Sequence, residues 1–356
     1  MAARIAFEST TQPKSHPPDA DLKFGRVFTD HMFLLDYHEG AGWQNPRIAP
    51  FGPLSLSPAA AALHYAETLF DGLKAFRGVD GKVRIFRLDR HCKRMADGAA
   101  RLCMPAINIE MMRQALLELV RVERAWVPST QGTALYLRPT EIATEPFVGV
   151  RPATDYLFFI IASPVGAYYA EGFAPIKIRI EDHYVRAAPG GLGAVKAGAN
   201  YAASLLAAEE AKHAGFAQVL WTDALEHAAL EEVGTMNLFV RIGEEFATPA
   251  LGGTILDGVT RDSVITLLRK WGQVVNERRI TVEEVLSAHR AGRLKEVFGT
   301  GTAAVISPVS ELGWKDQLFK VGDGSPGEFS KRLLKGITDI QYGVAADSEG
   351  WLTVVD

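Results

Sequence analysis

Pro189-Gly-Gly-Leu-Gly-Ala-Val-Lys-Ala-Gly198 is a glycine-rich loop set between a strand pattern at 176–181 and a helix pattern at about 201–213. Lys196 stands in it with small and apolar residues on both sides. A lysine in such surroundings loses hydration, so its pKa falls and its amine becomes nucleophilic. Outward from the loop, strand-like and helix-like segments alternate, which is the pattern of an α/β chain of mixed α+β content.

Toward the C-terminus, strands are expected at 218–222 and 237–242. A helix over 260–271 places Val264, Leu267, Leu268 and Trp271 on one face. Thr281-Val-Glu-Glu284 is a capping box for a short helix. Strands at 295–298 and 303–306 flank a Gly-Thr-Gly-Thr turn, and the last helix lies near 327–342. Toward the N-terminus, Ser57-Pro58 reads as a helix start, with Ser57 as N-cap. A half-buried strand is expected at 83–87, and a helix at 88–102 before Pro105. A helix over 110–126 carries Met112, Leu116, Leu119 and Val120 on one stripe, and strands follow at 134–138 and 155–162. Three breakers within 164–175 mark a linker. The expected organisation is a flexible arm (1–20), a small N-terminal domain (21–163), the linker (164–175) and a large C-terminal domain (176–356).

The 356 residues are 47% hydrophobic and 22% charged, enough to bury a large core and incompatible with dominant disorder. With 38 Lys+Arg against 42 Asp+Glu, the chain lacks a nucleic-acid footprint. Two cysteines, Cys92 and Cys103, exclude a disulfide scaffold or a cysteine-rich metal site. No apolar run reaches the length of a membrane span, and the N-terminus lacks a signal-peptide pattern. A cytoplasmic enzyme without a metal is expected.

Several features suit an anionic cofactor. Leu256-Asp-Gly-Val-Thr260 feeds a helix, where free backbone N–H groups and the helix dipole favour phosphate. Gly299-Thr-Gly-Thr-Ala303 offers hydroxyls and amides after a strand. Arg94 shares a helix with Arg90 and Lys93, and one arginine there is able to grip phosphate bidentately. Glu231-Glu-Val-Gly-Thr-Met-Asn237 supplies a carboxylate of the kind that keeps a pyridine nitrogen protonated. Spacing alone leaves open which of Glu231 and Glu232 faces inward.

Together with Leu69-Phe-Asp-Gly-Leu-Lys-Ala-Phe76, Arg101-Leu-Cys-Met-Pro105, Leu135-Tyr-Leu-Arg-Pro139, Lys196-Ala-Gly-Ala-Asn-Tyr201 and Val297-Phe-Gly-Thr-Gly-Thr-Ala303, these stretches closely resemble the branched-chain amino acid aminotransferases. Those are pyridoxal-phosphate enzymes of fold type IV, the class IV aminotransferases. The resemblance runs from about Phe24 to Gly343. It implies two α/β domains with the pyridoxal 5'-phosphate site at their interface. Lys196 is similar to the catalytic lysine that forms the internal aldimine and later moves the proton. Tyr201 matches the tyrosine at the ring oxygen, and Glu232, rather than Glu231, the carboxylate opposite the ring nitrogen. Arg94 matches the phosphate arginine, aided by Gly258, Val259, Thr260 and Thr302. Leu256 and the Gly234–Thr235 peptide would sandwich the ring.

For the substrate, the resemblance implies a side-chain pocket of Phe24, Tyr65, Phe70, Tyr136, Tyr168 and Thr235. Burying a leucine-sized side chain there is worth about 1.5–3 kcal/mol. Arg138 would hold the γ-carboxylate of glutamate or 2-oxoglutarate, and Thr302 with the Ala303 amide the α-carboxylate. Val148 and Val150 match a loop that caps the partner subunit's site, which implies a homodimer. The implied reaction is ping-pong transamination of L-leucine, L-isoleucine and L-valine with 2-oxoglutarate through the Lys196 aldimine. A D-amino acid aminotransferase, a lyase of the aminodeoxychorismate type and a non-catalytic cofactor-binding protein are the competing readings. Two departures stand out. Ala304 and Ser307 occupy the positions of the Cys-x-x-Cys thiol switch found in some animal relatives, and Asp257 stands where many relatives carry proline.

Overall fold

The computed structural model describes residues 4–166 and 173–355. The chain forms two compact units: residues 1–168 with 195–199 and 339–356, and residues 169–194 with 200–338. Two segments beyond the expected linker thus belong to the first unit, and one of them contains Lys196.

The first unit carries β1 (Ala6–Phe7), β2 (His31–His38), β3 (Gly42–Pro50), α1 (Ala61–Tyr65), β4 (Thr68–Phe70), β5 (Leu73–Arg77), β6 (Val83–Phe86), α2 (Leu88–Arg101), α3 (Ile109–Val122), β7 (Ala134–Ala143) and β8 (Asp155–Val165). The second carries β9 (Ile176–Ile180), α4 (Gly198–Ala203), which starts in the returning segment, α5 (Leu205–His213), β10 (Gln218–Thr222), β11 (Leu230–Val233), β12 (Met236–Ile242), β13 (Glu245–Thr248), α6 (Val259–Lys270), β14 (Val274–Glu277), α7 (Val282–Arg290), β15 (Leu294–Gly301), β16 (Val305–Trp314), β17 (Gln317–Lys320) and α8 (Glu328–Gln341). The final strand, β18 (Leu352–Val355), returns to the first unit and pairs antiparallel with β6.

The first sheet runs β1-β3-β2-β8-β7-β5-β6-β18, with β4 on β7. The stripe of Met112, Leu116, Leu119 and Val120 on α3 is buried, as its helical spacing requires. The helix expected over 110–126 ends at Val122, and a 3₁₀ turn, Arg124–Trp126, follows. The arm expected to be loose is tied to this unit. Thr10 N donates to His31 Nε2 at 2.9 Å, and Lys14 Nζ donates to the carbonyls of Phe28 and Thr29. Asp19 accepts the amides of Ser129 and Thr130.

In the second unit the order is β11-β10-β9-β16-β15-β12-β13-β14, and β11 also pairs with β12. That extra pairing closes six strands into a ring. Ile178, Leu220, Val233, Leu238, Val240 and Leu312 belong to its buried apolar cluster. The capping box on α7 forms, with Thr281 Oγ1 accepting from Glu284 N.

Three expectations shift. Ser57 forms a turn instead of capping a helix, its Oγ taking Ala59 N and its carbonyl Ala60 N, so α1 starts only at Ala61. The single helix at 201–213 splits at Ser204, whose hydroxyl and amide both bond back to the Tyr201 carbonyl. The glycines of Gly-Thr-Gly-Thr lie within β15, and the turn falls at 302–304. A Cβ on Gly299 would lie 2.9 Å from Met236 Cε, so this glycine serves close packing rather than the turn.

One core group lacks compensation. Glu141 on β7 is fully buried, and neither carboxylate oxygen has a hydrogen-bond partner among the described residues. Burial, and then the charge of Glu67, push its pKa up to about 8. The unfolded chain releases this proton near 4.5 and the folded chain near 8, so the stability deficit builds as pH rises between them and is complete above 8. Glu141→Leu should therefore raise the melting temperature by about 2–4 °C or more above pH 8 and by less near pH 5, read by thermal scans. An equal shift at both pH values would mean that Glu141 is ionised throughout.

Candidate active site

The segment 195–199 lies along β4. Phe70 N donates to the Lys196 carbonyl at 3.2 Å, and Leu69 bridges Ala197. Small residues permit this. A Cβ on Gly198 would meet Thr68 Oγ1 at 2.3 Å, and one on Gly98 of α2 would meet Leu69 Cδ1 at 2.8 Å. Lys196 Nζ consequently lies 5.1 Å from the centre of the Phe70 ring. Burial of the amine, then the Arg94 charge, lowers its pKa to about 8, against the opposing pull of Asp71.

Beside it, Arg138 lies over two rings, 4.6 Å from Phe70 and 5.2 Å from Tyr136, and its Nη2 donates to Tyr136 Oη at 2.9 Å. Phe24 packs edge-on against Tyr136 with ring centres 4.9 Å apart. Gly72 makes room for this wall, because a Cβ there would fall 1.8 Å from Tyr136 Oη. Arg94, on α2, pairs with fully buried Asp71 through Nε and Nη2, each at 2.8 Å. His91 Nδ1 also reaches Asp71, at 2.9 Å. Burial opposes ionisation of Asp71, but Arg94 and His91 outweigh it and hold the carboxyl well below the usual carboxylate range.

The second unit gathers another set. Glu232 is buried, and its Oε2 pairs with Arg186 Nε at 2.9 Å. Its Oε1 accepts from Leu256 N at 2.8 Å and Asn237 Nδ2 at 3.2 Å. Glu231 is buried as well, so burial does not separate the two glutamates. Their partners do: Glu231 Oε1 accepts from the Thr254 hydroxyl at 2.6 Å, its Oε2 has no hydrogen-bond partner among the described residues, and burial raises its pKa. Gly234 takes φ +56° between β11 and β12, and its carbonyl is held by Trp221 Nε1 at 2.9 Å. Gly258 precedes α6 without a side-chain cap, and its missing Cβ leaves space for Asn237 Oδ1. The first-turn amides of Val259 and Thr260 are of the type that receive an anion. Asp257 is exposed, and Thr302 and Ala303 are half-buried in the hairpin turn.

The expected residues Phe24, Phe70, Arg94, Tyr136, Arg138 and Lys196 thus fall together in the first unit, and Glu232, Gly234, Thr235, Leu256, Gly258, Val259 and Thr260 in the second. Tyr201 is half-buried on α4. Tyr65, Val148 and Val150 are exposed. Tyr168 lies outside the described residues. Asp71, His91, Gly72, Arg186 and Asn237 were not singled out from sequence. Asp71, Gly72 and Asn237 carried a signal by lying inside stretches that carry the resemblance, and His91 by sharing the helix of Arg94.

Residues 68–312 match the amino-transferase class IV family. The chain belongs to that family, and its mixed α/β fold is that of class IV aminotransferases. It is 49% identical over 352 residues to branched-chain-amino-acid aminotransferase 2 of Bacillus subtilis (strain 168), covering 99% of this chain and 96% of that protein. It is 47% identical over 334 residues to the branched-chain-amino-acid aminotransferase of Mycobacterium tuberculosis (strain ATCC 25618 / H37Rv), covering 92% and 91%. Among solved structures it resembles the branched-chain amino acid aminotransferase of Escherichia coli, with TM-score 0.77 and 27% identity, covering 92% of this chain and 99% of that one. It also resembles the T.th. branched-chain amino acid aminotransferase with pyridoxamine 5'-phosphate, with TM-score 0.74 and 29% identity, covering 90% and 98%.

Gly72→Ala should push Tyr136 off Arg138 and lower aminotransferase turnover by about 10-fold or more while the protein stays folded. Steady-state rates with circular dichroism test this, and an unaltered rate would show that Tyr136 moves without consequence.

Proposed function

We propose that this chain is a pyridoxal 5'-phosphate-dependent aminotransferase that moves the amino group of L-leucine, L-isoleucine and L-valine to 2-oxoglutarate. The observation that carries this reading is the Lys196 amine, its pKa lowered to about 8, beside an aromatic wall that also holds Arg138. One wall thereby offers apolar surface and a cation, which suits alternating branched-chain and dicarboxylate substrates. The similarity to named branched-chain enzymes over nearly the whole chain supports the same substrates.

The residues present fit the cofactor. A desolvated amine, a guanidinium, a buried carboxylate paired with an arginine and a helix start without a side-chain cap are the donor set that an aldehyde, a phosphate and a pyridine nitrogen require. Lys196 would hold the aldehyde carbon, and Arg94, Val259, Thr260 and Thr302 the phosphate. Tyr201 would meet the ring oxygen and Glu232 the ring nitrogen, with Leu256 and the Gly234–Thr235 peptide on the ring faces. When bound, the cofactor supplies an electron-accepting ring that stabilises negative charge at the substrate Cα.

Lys196 removes the proton from the substrate Cα in one half-reaction and returns one in the other. Glu232, fixed by Arg186, keeps a proton on the ring nitrogen through its negative charge. Phe24, Phe70 and Tyr136 enclose the alkyl side chain and exclude water from it. Arg138 receives the γ-carboxylate of 2-oxoglutarate, and Thr302 with the Ala303 amide holds the α-carboxylate. We further infer a homodimer, in which exposed Val148 and Val150 cover the partner's site. Two free thiols, Cys92 and Cys103, suit a reducing cytoplasm.

The test is the absorbance spectrum of the purified protein before and after L-leucine alone. A visible cofactor band that collapses to the pyridoxamine form supports the reading. A band unmoved by L-leucine redirects the substrate to D-amino acids or a lyase substrate, and no band after adding pyridoxal 5'-phosphate removes the cofactor. Lys196→Ala should lower turnover by about 10³-fold or more, and a wild-type rate would refute the role of Lys196. Loading of the apoprotein with cofactor should accelerate as pH rises toward about 8 and level off above it, because the neutral amine is the nucleophile. Stopped-flow absorbance reads that profile.

A further inference from the structure

We propose that Asp71, braced by His91, is the positioning residue that sets the plane of the Arg94 guanidinium for the cofactor's phosphate. This rests on the pyridoxal 5'-phosphate reading above. Asp71 sits at the end of β4, where its own amide donates to the Pro139 carbonyl at 2.9 Å and fixes its backbone on β7. Its carboxylate is completely buried and accepts four N–H groups: Gly72 N at 2.6 Å, His91 Nδ1 at 2.9 Å, and Arg94 Nε and Nη2 at 2.8 Å each.

His91 and Arg94 are three residues apart on α2 and so share one helix face. Burial, against the pull of Asp71, lowers the His91 pKa, so the ring is neutral with its proton on Nδ1 toward Asp71. A neutral donor steadies the carboxylate without adding a second cation. Asp71 takes the side edge of the guanidinium, its Nε and one Nη2 hydrogen, and turns the end edge, with Nη1, away from itself. Arginine has a flexible stem, and a planar fork grips phosphate only in the correct orientation. A full negative charge so close to a phosphate opposes binding in principle. Four donors already compensate Asp71, so orientation outweighs repulsion.

The test compares binding of pyridoxal 5'-phosphate and of pyridoxal, which lacks the phosphate, to the apoprotein by tryptophan fluorescence. In Asp71→Asn, the Kd for pyridoxal 5'-phosphate should rise about 10-fold or more, and the Kd for pyridoxal should stay within about 2-fold. Arg94→Lys should show the same collapse of preference. The double variant should be no worse than Arg94→Lys alone, because both act on one contact. Equal loss for both ligands, an unchanged preference, or tighter pyridoxal 5'-phosphate binding in Asp71→Asn would overturn the proposal. If that variant does not fold, Asp71→Glu carries the test. It keeps the charge but shifts it by one methylene, the same collapse is expected, and an unchanged preference overturns the proposal. Failure of the wild-type apoprotein to bind pyridoxal 5'-phosphate at all would instead refute the cofactor reading, which separates the two failures.

Discussion

Lys196 owes its position to a short backbone pairing: β4 accepts the returning segment through the bond from Phe70 N to the Lys196 carbonyl and the bridge between Leu69 and Ala197. Both the amine and the ring beneath it are fixed by this one contact, since Phe70 supplies the amide and the aromatic face. Gly198 and Gly98 are small because Thr68 and Leu69 occupy the space where a Cβ would stand. A loop that only passed nearby would leave the lysine in water with an ordinary pKa. Backbone pairing thus gives a residue of the glycine-rich loop a fixed place beside β4.

Buried charge in this chain survives where an arginine reaches it. Asp71 has Arg94, and Glu232 has Arg186, each pair with nitrogen–oxygen distances under 3 Å. Breaking such a pair leaves an uncompensated charge, which is why the pairs act as rigid brackets rather than exchangeable contacts. Glu141 shows the alternative. Its oxygens have no hydrogen-bond partner among the described residues, and burial raises its pKa to about 8, so the group stays protonated at neutral pH. The same functional group is therefore bracketed by an arginine in two places and left as a neutral acid in a third, and the neighbours decide which.

Much of the architecture was legible in the residues. The stripes on α3 and α6, the capping box at Thr281 and the core strands β7, β8, β9 and β10 follow from periodicity and caps, which are local properties. The short strands β13, β14 and β17 were not legible, because four residues at a sheet margin carry too little alternation. Nor was the return of 195–199 and 339–356 to the first unit, which depends on pairings more than 100 residues apart in sequence. The glycines at 299 and 301 suggested a turn, yet their role is to pass Met236 at close range, a property of the partner and not of the segment. In the site, Arg94 and Glu232 were readable from the resemblance, whereas the groups that hold them, Asp71 and Arg186, act from outside any spacing rule.

Arg138 shows how one pocket wall meets two opposed demands on the proposed function. A bare guanidinium facing an alkyl side chain would have to shed water without compensation. Here its flat face lies on Phe70 and Tyr136 and its Nη2 on the Tyr136 hydroxyl, so the rings and a neutral oxygen replace part of that hydration. Its Nε, in contrast, is buried without a hydrogen-bond partner among the described residues. An unsatisfied charged donor is costly when no acceptor is present and becomes favourable when a carboxylate arrives. On the proposed function, a branched alkyl chain would meet the aromatic rims, and a dicarboxylate would meet the underused cation. The same side chains would thereby favour each substrate in turn, without the wall having to be rebuilt between the proposed half-reactions.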